Sequence, residues 1–472
     1  MKWLRLAVAG ACISAALALP AHGQLPAFGP CERTAESAPE GAPVDVQLDT
    51  VTDTAAVLTW LTCSSTQPFA TDSTVEYSLL AGGNASTVTA QPDTAFHYVR
   101  IDGLKPGHDY RYSVSSNGVP TAPGRLNPGV FTTLTPPPGK ELFSFAVLAD
   151  THLGETTSGL ATGDFPPGYS SDTPYSQSML DAAVANINAK RIRFSLVAAD
   201  LTSHGELDDM TTAKTLLDRL HGDYLVTRGS HDRPGQYEEA KSECGPDGDC
   251  FRKIFRPDLT AGDEPQHSTQ ATTYKKWSFI SLDSADLASG NGVMPNDELD
   301  WLKDQLEAAK KHGRPSVIFF HHPVAEYSTT LAVPPVTFGV EAEQAQNFLK
   351  LIADYDVRLV VNAHTHRNWI AYSPNTGAMP IIEVGPAKEY PAGYTVIRVF
   401  SGGLLREWWP IECDFCNEWR ETTRGEYFDL YPYYTEGSLR DRSFVHLFDG
   451  ADRPGVPSVP AGVWPALGPR EA

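Results

Sequence analysis

Phe143-Ser144-Phe145-Ala146-Val147-Leu148-Ala149-Asp150-Thr151-His152 is an almost unbroken apolar run that stops on two residues with metal-binding atoms. Its length and its aromatic and branched members predict a strand buried on both faces. An aspartate and a histidine one residue apart let one loop aim two ligands at neighbouring positions. The pattern then recurs down the chain. A predicted strand at 194–198 runs into Ala199-Asp200-Leu201-Thr202-Ser203-His204-Gly205. Strand 223–227 runs into Arg228-Gly229-Ser230-His231-Asp232, strand 317–320 into His321-His322-Pro323, and strand 358–361 into Asn362-Ala363-His364-Thr365-His366. A further strand is expected at 277–282. Helical spacing is expected over 176–189, 208–220, 296–311 and 341–355. In 296–311, Leu299, Leu302, Leu306 and Ala309 share one face.

Strands alternating with helices argue for an α/β domain with helix-covered sheets. Such sheets place ligands beyond the carboxyl ends of their strands, where each of these clusters falls. One D-x-H or H-x-H alone is more often a surface loop or a capping motif than a metal site. Five in order, each closing a strand, read as one site. Imidazole and carboxylate together suit two divalent or trivalent ions, Fe, Mn or Zn. Two cations about 3.5–4 Å apart clamp a phosphate and acidify a water for in-line attack.

Residues 43–135 read differently. Short β-branched and aromatic runs at 56–61, 73–78, 97–101 and 110–114 are separated by turn residues, which reads as a β-sandwich. Leu104-Lys105-Pro106-Gly107-His108-Asp109-Tyr110 resembles the turn before a late strand of a fibronectin type III domain. Trp60 fits the core tryptophan of such domains, and Phe131-Thr132-Thr133 the last strand. Pro136-Pro137-Pro138 is a stiff boundary. Residues 24–42 read as a linker, 141–408 as the α/β domain, and 409–472 as an aromatic, Cys-containing extension without clear periodicity.

The chain has 472 residues, of which 41% are hydrophobic and 20% charged, so it is globular rather than disordered. Its net charge of −21 repels polyanions and argues against nucleic acid as a partner. Lys2 and Arg5, the apolar run 6–19 and the small residues before Gln24 form a cleavable leader over 1–23, implying a secreted or periplasmic protein. Ala9-Gly10-Ala11-Cys12 is a weaker lipoprotein-like alternative. No other apolar run is long enough to span a membrane. Six cysteines remain beyond the leader, with Cys31–Cys63, Cys244–Cys250 and Cys413–Cys416 as the expected pairs. Cys413-Asp414-Phe415-Cys416 has a second reading as half a zinc site or a redox pair, though no other C-x-x-C exists.

The order D-x-H, D-L-x-x-x-G, G-x-H-D, H-x-P, H-x-H over roughly 141–400 resembles the calcineurin-like metallophosphoesterases. With the sandwich in front, the arrangement is similar to purple acid phosphatases and their bacterial relatives. The resemblance implies an αββα core and a dimetal phosphoesterase attacking phosphate esters with a hydroxide held between the ions. It implies Asp150, His152 and His366 on the first metal, Asp200 bridging, and His321 and His364 on the second. His231, with Asp232 beside it, would contact the phosphate and protonate the leaving oxygen; His322 reads as structural. Ser230 stands where the family usually has the asparagine that ligates the second metal. Ala199 and Ala363 replace glycines. Ser203 stands where purple enzymes have tyrosine, and His152 is a ligand they lack, so no tyrosinate-to-iron colour is expected.

Arg228 and His204, and less directly Arg233 and Arg367, are candidate phosphate contacts. The loops 154–175, 233–270 and 325–340, with Tyr327 and Phe338, are candidates for shaping the pocket. Asn84-Ala85-Ser86 is a glycosylation sequon, meaningful only in a eukaryotic secretory host. The expected activity is phosphomonoester hydrolysis on a small phosphorylated substrate. A phosphodiesterase or nucleotidase on the same site, and a non-catalytic metal-containing binding protein, are the alternatives.

Overall fold

The computed structural model describes residues 29–32, 38–156, 158, 174–259, 268–324, 339–373, 379–426 and 431–448. The leader, most of loop 154–175, Tyr327, Phe338 and residues 449–472 lie outside the described residues.

The amino-terminal part is all β. Strands β1 (Pro43–Val51), β2 (Ala55–Ser64) and β3 (Gln67–Pro68) form one sheet with β6 (Phe96–Asp102) paired to β2. Strands β4 (Thr71–Leu79), β5 (Ser86–Thr94), β7 (Asp109–Ser116), β8 (Val119–Pro120) and β9 (Val130–Thr132) form the other. Leu48, Leu58, Trp60, Val75, Val99, Val114 and Phe131 fill the layer between them. The Tyr110 hydroxyl accepts from the Lys105 amide at 2.9 Å, closing the corner that the sequence signalled. Cys31 is bonded to Cys63.

Trp60 stacks on His97, ring centroids 4.6 Å apart, and both are fully buried. Burial holds the His97 imidazole down at about 3, against a smaller opposing pull from Asp72. The unfolded chain takes up this proton below its ordinary 6.5 and the folded chain does not. Its contribution to stability is therefore complete above pH 6.5 and is lost as pH falls towards 3, by up to about 1.4 kcal/mol per unit. Urea unfolding of the protein and of His97→Gln between pH 4 and 7 should give a flatter pH slope for the variant. Equal slopes would contradict this.

The second part has two facing sheets. The first holds β10 (Glu141–Leu148), β11 (Phe194–Val197) and β12 (Asp223–Val226), with β19 (Gly393–Phe400), β20 (Gly403–Pro410) and β21 (Phe444–Leu447), in the order β12-β11-β10-β19-β20-β21. β10 runs parallel to β11, and β11 to β12; the other pairs are antiparallel. The second holds β13 (Gln270–Tyr274), β14 (Trp277–Ser281), β15 (Ser316–Phe319), β16 (Val357–Asn362), β17 (Trp369–Ser373) and β18 (Met379–Glu383), in the order β13-β14-β15-β16-β18-β17. There β14, β15, β16 and β18 are parallel.

Alternation along β10 explains the layering. Phe143, Phe145 and Val147 join Phe279, Phe319 and Val361 between the sheets, while Ala146 and Leu148 face the helices. Helices α1 (Tyr175–Ala189) and α2 (Leu207–Leu217) cover the first sheet. Short helices α3 (Ala240–Cys244) and α4 (Cys250–Phe255) are joined by the Cys244–Cys250 disulfide. Helices α5 (Asn296–Lys311) and α6 (Ala342–Ile352) cover the second sheet through Leu299, Leu302, Leu306, Phe348 and Leu349.

The carboxy-terminal residues are more regular than the sequence suggested. β20 runs through the expected boundary at 408, and β21 adds an edge strand beside it. The Cys413–Cys416 disulfide spans the first turn of helix α7 (Asp414–Arg424). Its buried face mixes Cys416 and Trp419 with Asn417, Arg420, Glu421 and Arg424, which hides it from an apolar-periodicity reading.

Candidate metal centre

The parallel strands of both sheets end at one edge, and the ligand-type residues sit on the loops just beyond. These loops are strained. Asp150, His152, Ala199, Asp200, His364 and His366 all have positive φ, from 35° to 71°. Each such residue costs on the order of 1–3 kcal/mol and persists where its surroundings over-determine it. Here the loops after β10 and β11 hold each other. The Asp150 amide donates to Ala199 O, Thr151 and His152 amides to Asp200 O, and the Leu153 amide to Leu201 O, at 2.7–3.0 Å. Ala199, with φ 35°, shows why glycine suits that position. Gly229 is required by close approach: a Cβ there would collide with the Asp200 amide nitrogen and Oδ1.

Three overlapping groups result among the described residues. Asp150, His152 and His366 bring their ligand atoms within 4.8 Å of one another, as do Asp150, Asp200 and His321, and His321, His322 and His364. Asp200 Oδ2 lies 3.7 Å from His152 Nε2 and 3.1 Å from His321 Nε2, so it stands between the group holding His152 and the groups holding His321. His364 Nδ1 is 3.0 Å from His321 Nε2. Ser230 Oγ is 3.4 Å from Asp200 Oδ2 and buried.

These residues fit metal ions. His152 Nε2 is buried without a hydrogen-bond partner among the described residues, and neither Asp150 carboxylate oxygen has a side-chain one. Outer hydrogen bonds fix which nitrogen carries a lone pair inward. His321 Nδ1–H donates to Ala198 O at 2.9 Å, and His366 Nδ1–H donates to Glu389 Oε1 at 2.6 Å, so each ring turns its Nε2 towards the carboxylates, His321 to Asp200 and His366 to Asp150. Burial pushes Asp150 up to about 6, against His366 and His321. Burial opposes the charge on Asp200 too, but His321, His231 and His152 hold it well below the usual carboxylate range. Burial keeps His152 and His364 well below the usual histidine range, hence neutral as ligation requires.

His322 lies within ligand reach of His321 and His364 but is already engaged on both ring nitrogens. The Ser284 hydroxyl meets its Nδ1 at 3.0 Å, and its Nε2–H donates to Gly290 O at 3.2 Å. His231 is exposed, its ring centroid 4.7 Å from that of His152, and its Nδ1–H donates to Ser203 O at 2.9 Å. His231 Nε2 is therefore the atom available to a substrate.

Three sequence expectations are corrected. The Asp232 carboxylate faces away from substrate chemistry: it is buried and accepts from the Leu201, Thr202 and Gly229 amides at 3.0–3.1 Å and from the Thr202 hydroxyl. It positions the Asp200 loop. Arg228 is fully buried against Asp249 at 2.7 Å and Asp283 at 3.3 Å, so it does not reach a phosphate. Arg367 is buried in a paired contact with Glu383. His204 remains exposed on the loop after Asp200, and Arg233 is half-buried.

The residue that sequence reading missed is Glu389. Besides His366, it accepts from Ser158 Oγ at 2.6 Å and lies 3.3 Å from the Lys388 ammonium, which also meets Glu155 at 2.5 Å. Burial opposes its charge, but Lys388 and His366 hold it well below the usual range. The available signal was its place beyond β18, a parallel strand of the same sheet.

Residues 143–368 match the family model described as calcineurin-like phosphoesterase. A probable cyclic nucleotide phosphodiesterase from a Synechococcus strain is 26% identical over 235 residues, covering 48% of this chain and 79% of that protein. Another, from Psychrobacter arcticus, is 23% identical over 205 residues, covering 42% of this chain and 66% of that protein. Among solved structures, a dimetal phosphatase from Danio rerio aligns with a TM-score of 0.43 at 14% identity, over 57% of this chain and 96% of that one.

Proposed function

We propose that residues 143–368, which match the calcineurin-like phosphoesterase model, work in an exported dimetal hydrolase of small phosphate esters, monoesters before diesters. The observation that carries the dimetal reading is the Asp200 carboxylate, whose Oδ2 lies 3.7 Å from His152 and 3.1 Å from His321, between the group of Asp150, His152 and His366 and the group of His321, His322 and His364. Asp150, His152, Asp200, His321, His364 and His366 would hold two divalent ions, which would supply Lewis acidity and a water acidified for attack at neutral pH. His231, protonated on both nitrogens, would hold a phosphate oxygen through Nε2–H and hand that proton to the leaving oxygen, leaving the neutral ring with its Nδ1–H on Ser203 O. Ser203, through its carbonyl, keeps that ring oriented. Gly229 and Asp232 keep Asp200 in place. Export rests on the leader-like residues 1–23 and fits the three cysteine pairs.

The names of the two bacterial relatives favour a second reading, diester hydrolysis of the cyclic-nucleotide type. Metal-loaded protein should be given p-nitrophenyl phosphate, its bis ester and cyclic AMP side by side. A higher kcat/KM on the monoester supports the first reading. A preference for the bis ester or the cyclic nucleotide replaces it with the second.

Ser230 weakens the second group, because its hydroxyl is shorter than an amide and a poorer donor. Ser230→Asn should tighten the weaker metal on the order of tenfold, read by calorimetric titration of Mn into stripped protein. Unchanged affinity would show that Ser230 does not face that metal.

A further inference from the structure

The short strap Lys388-Glu389-Tyr390 lies between the metal groups and the amino-terminal sandwich. At its centre, Glu389 holds His366. On one side, the Lys388 carbonyl accepts from Trp419 Nε1 at 2.8 Å, and the Tyr390 amide donates to Thr423 Oγ1 at 2.9 Å, both on α7. On the other side, the buried Tyr390 hydroxyl lies 2.7 Å from Gln47 Oε1 on β1 and 2.6 Å from Glu436 Oε2. Gln47 is itself fixed, since its Nε2 donates to Asp49 Oδ1. Glu436 is held by Arg442 at 2.7 Å, and Arg442 donates to the Leu48 and Asp49 carbonyls.

Strand β1 is tied to the catalytic part along its whole length. Arg424 donates to Asp45 O at 3.0 Å, the Thr50 hydroxyl donates to Trp408 O at 2.6 Å, and just past the strand Arg398 pairs with Asp53 at 2.8 Å. Of these contacts, the one at Gln47 alone ends a single residue from the carboxylate that orients a proposed metal ligand.

We propose that the amino-terminal sandwich is a working part of the metal site, and that Gln47, through Tyr390, fixes Glu389 and so the orientation of His366. Glu389, Tyr390 and Gln47 are positioning residues. The inference rests on the dimetal reading above and deepens it. A sandwich that merely sits beside the catalytic domain would not need to meet the strap behind a ligand. Fixing an imidazole by the hydrogen bond on its far nitrogen raises ligand affinity, and losing such a partner typically costs 10–100-fold.

The test is calorimetric titration of Zn into the metal-stripped full chain and four variants. Glu389→Gln should weaken the tighter site by about 10–100-fold. Tyr390→Phe and Gln47→Ala should weaken it in the same direction by a smaller factor, on the order of several-fold, with unfolding transitions still cooperative. Thr50→Val cuts a β1 contact that does not lead to the strap, and should leave Zn affinity unchanged. Co-substituted protein provides a second readout: the visible ligand-field bands should shift in Tyr390→Phe and not in Thr50→Val. Wild-type affinity and bands in both Tyr390→Phe and Gln47→Ala overturn the inference. Equal weakening in Thr50→Val overturns the specific route, leaving only general loosening. A wild-type chain that takes up no Zn overturns instead the dimetal reading beneath it.

Discussion

Asp200→Asn is expected to abolish metal-dependent ester hydrolysis, lowering kcat/KM on the order of a thousandfold or more. The substitution keeps the shape of the side chain and removes its charge. Asp200 Oδ2 is the atom that faces both His152 and His321. A neutral amide leaves one group with Asp150, His152 and His366 and the other with two imidazoles and the Ser230 hydroxyl. The variant should therefore retain about one metal and lose the other, as measured by elemental analysis after dialysis. The side chain is almost fully buried, and its Oδ1 accepts from the His231 amide at 2.8 Å. An asparagine can present its oxygen to that amide, so the loop should survive. Unfolding curves would confirm that the loss is chemical. Activity within tenfold of the unaltered protein would contradict the shared role of Asp200.

His231→Gln should cost about 10²–10⁴-fold where the leaving group needs a proton, and far less where it does not. A nitrophenolate leaves as a stable anion, whereas an alkoxide does not. The expected result is a small loss on p-nitrophenyl phosphate and a large one on an alkyl phosphate such as glycerol phosphate. The geometry gives the reason: the Ser203 carbonyl takes the Nδ1–H, so the ring protonated on both nitrogens offers its second proton to the substrate from Nε2. Equal losses on both esters would assign His231 to binding alone.

The five ligand clusters were legible because burial on both faces makes parallel strands read as apolar runs, and the residues that end them stand out. Strand β10 and helix α5 fall where the pattern placed them. Charge beside a motif was a poorer guide. Arg228 adjoins the Gly229-Ser230-His231-Asp232 turn in sequence, but its partners, Asp249 and Asp283, come from distant segments that only the fold brings near. The same holds for Asp232, whose value lies in the backbone amides it gathers from another loop. Glu389 escaped notice because the strand before it, β18, is short and holds a proline, Pro380. Helix α7 escaped because its buried side carries charged residues that meet partners on other elements: Arg424, for one, reaches the Asp45 carbonyl of β1.

The most direct test of the dimetal reading is hydrolysis of p-nitrophenyl phosphate and its bis ester by stripped protein as Mn, Fe or Zn is added in fractions of an equivalent. The account predicts no turnover without metal and a steep rise completed only as the second equivalent binds. Full activity in the stripped protein, or none with any metal at any stoichiometry, would contradict it.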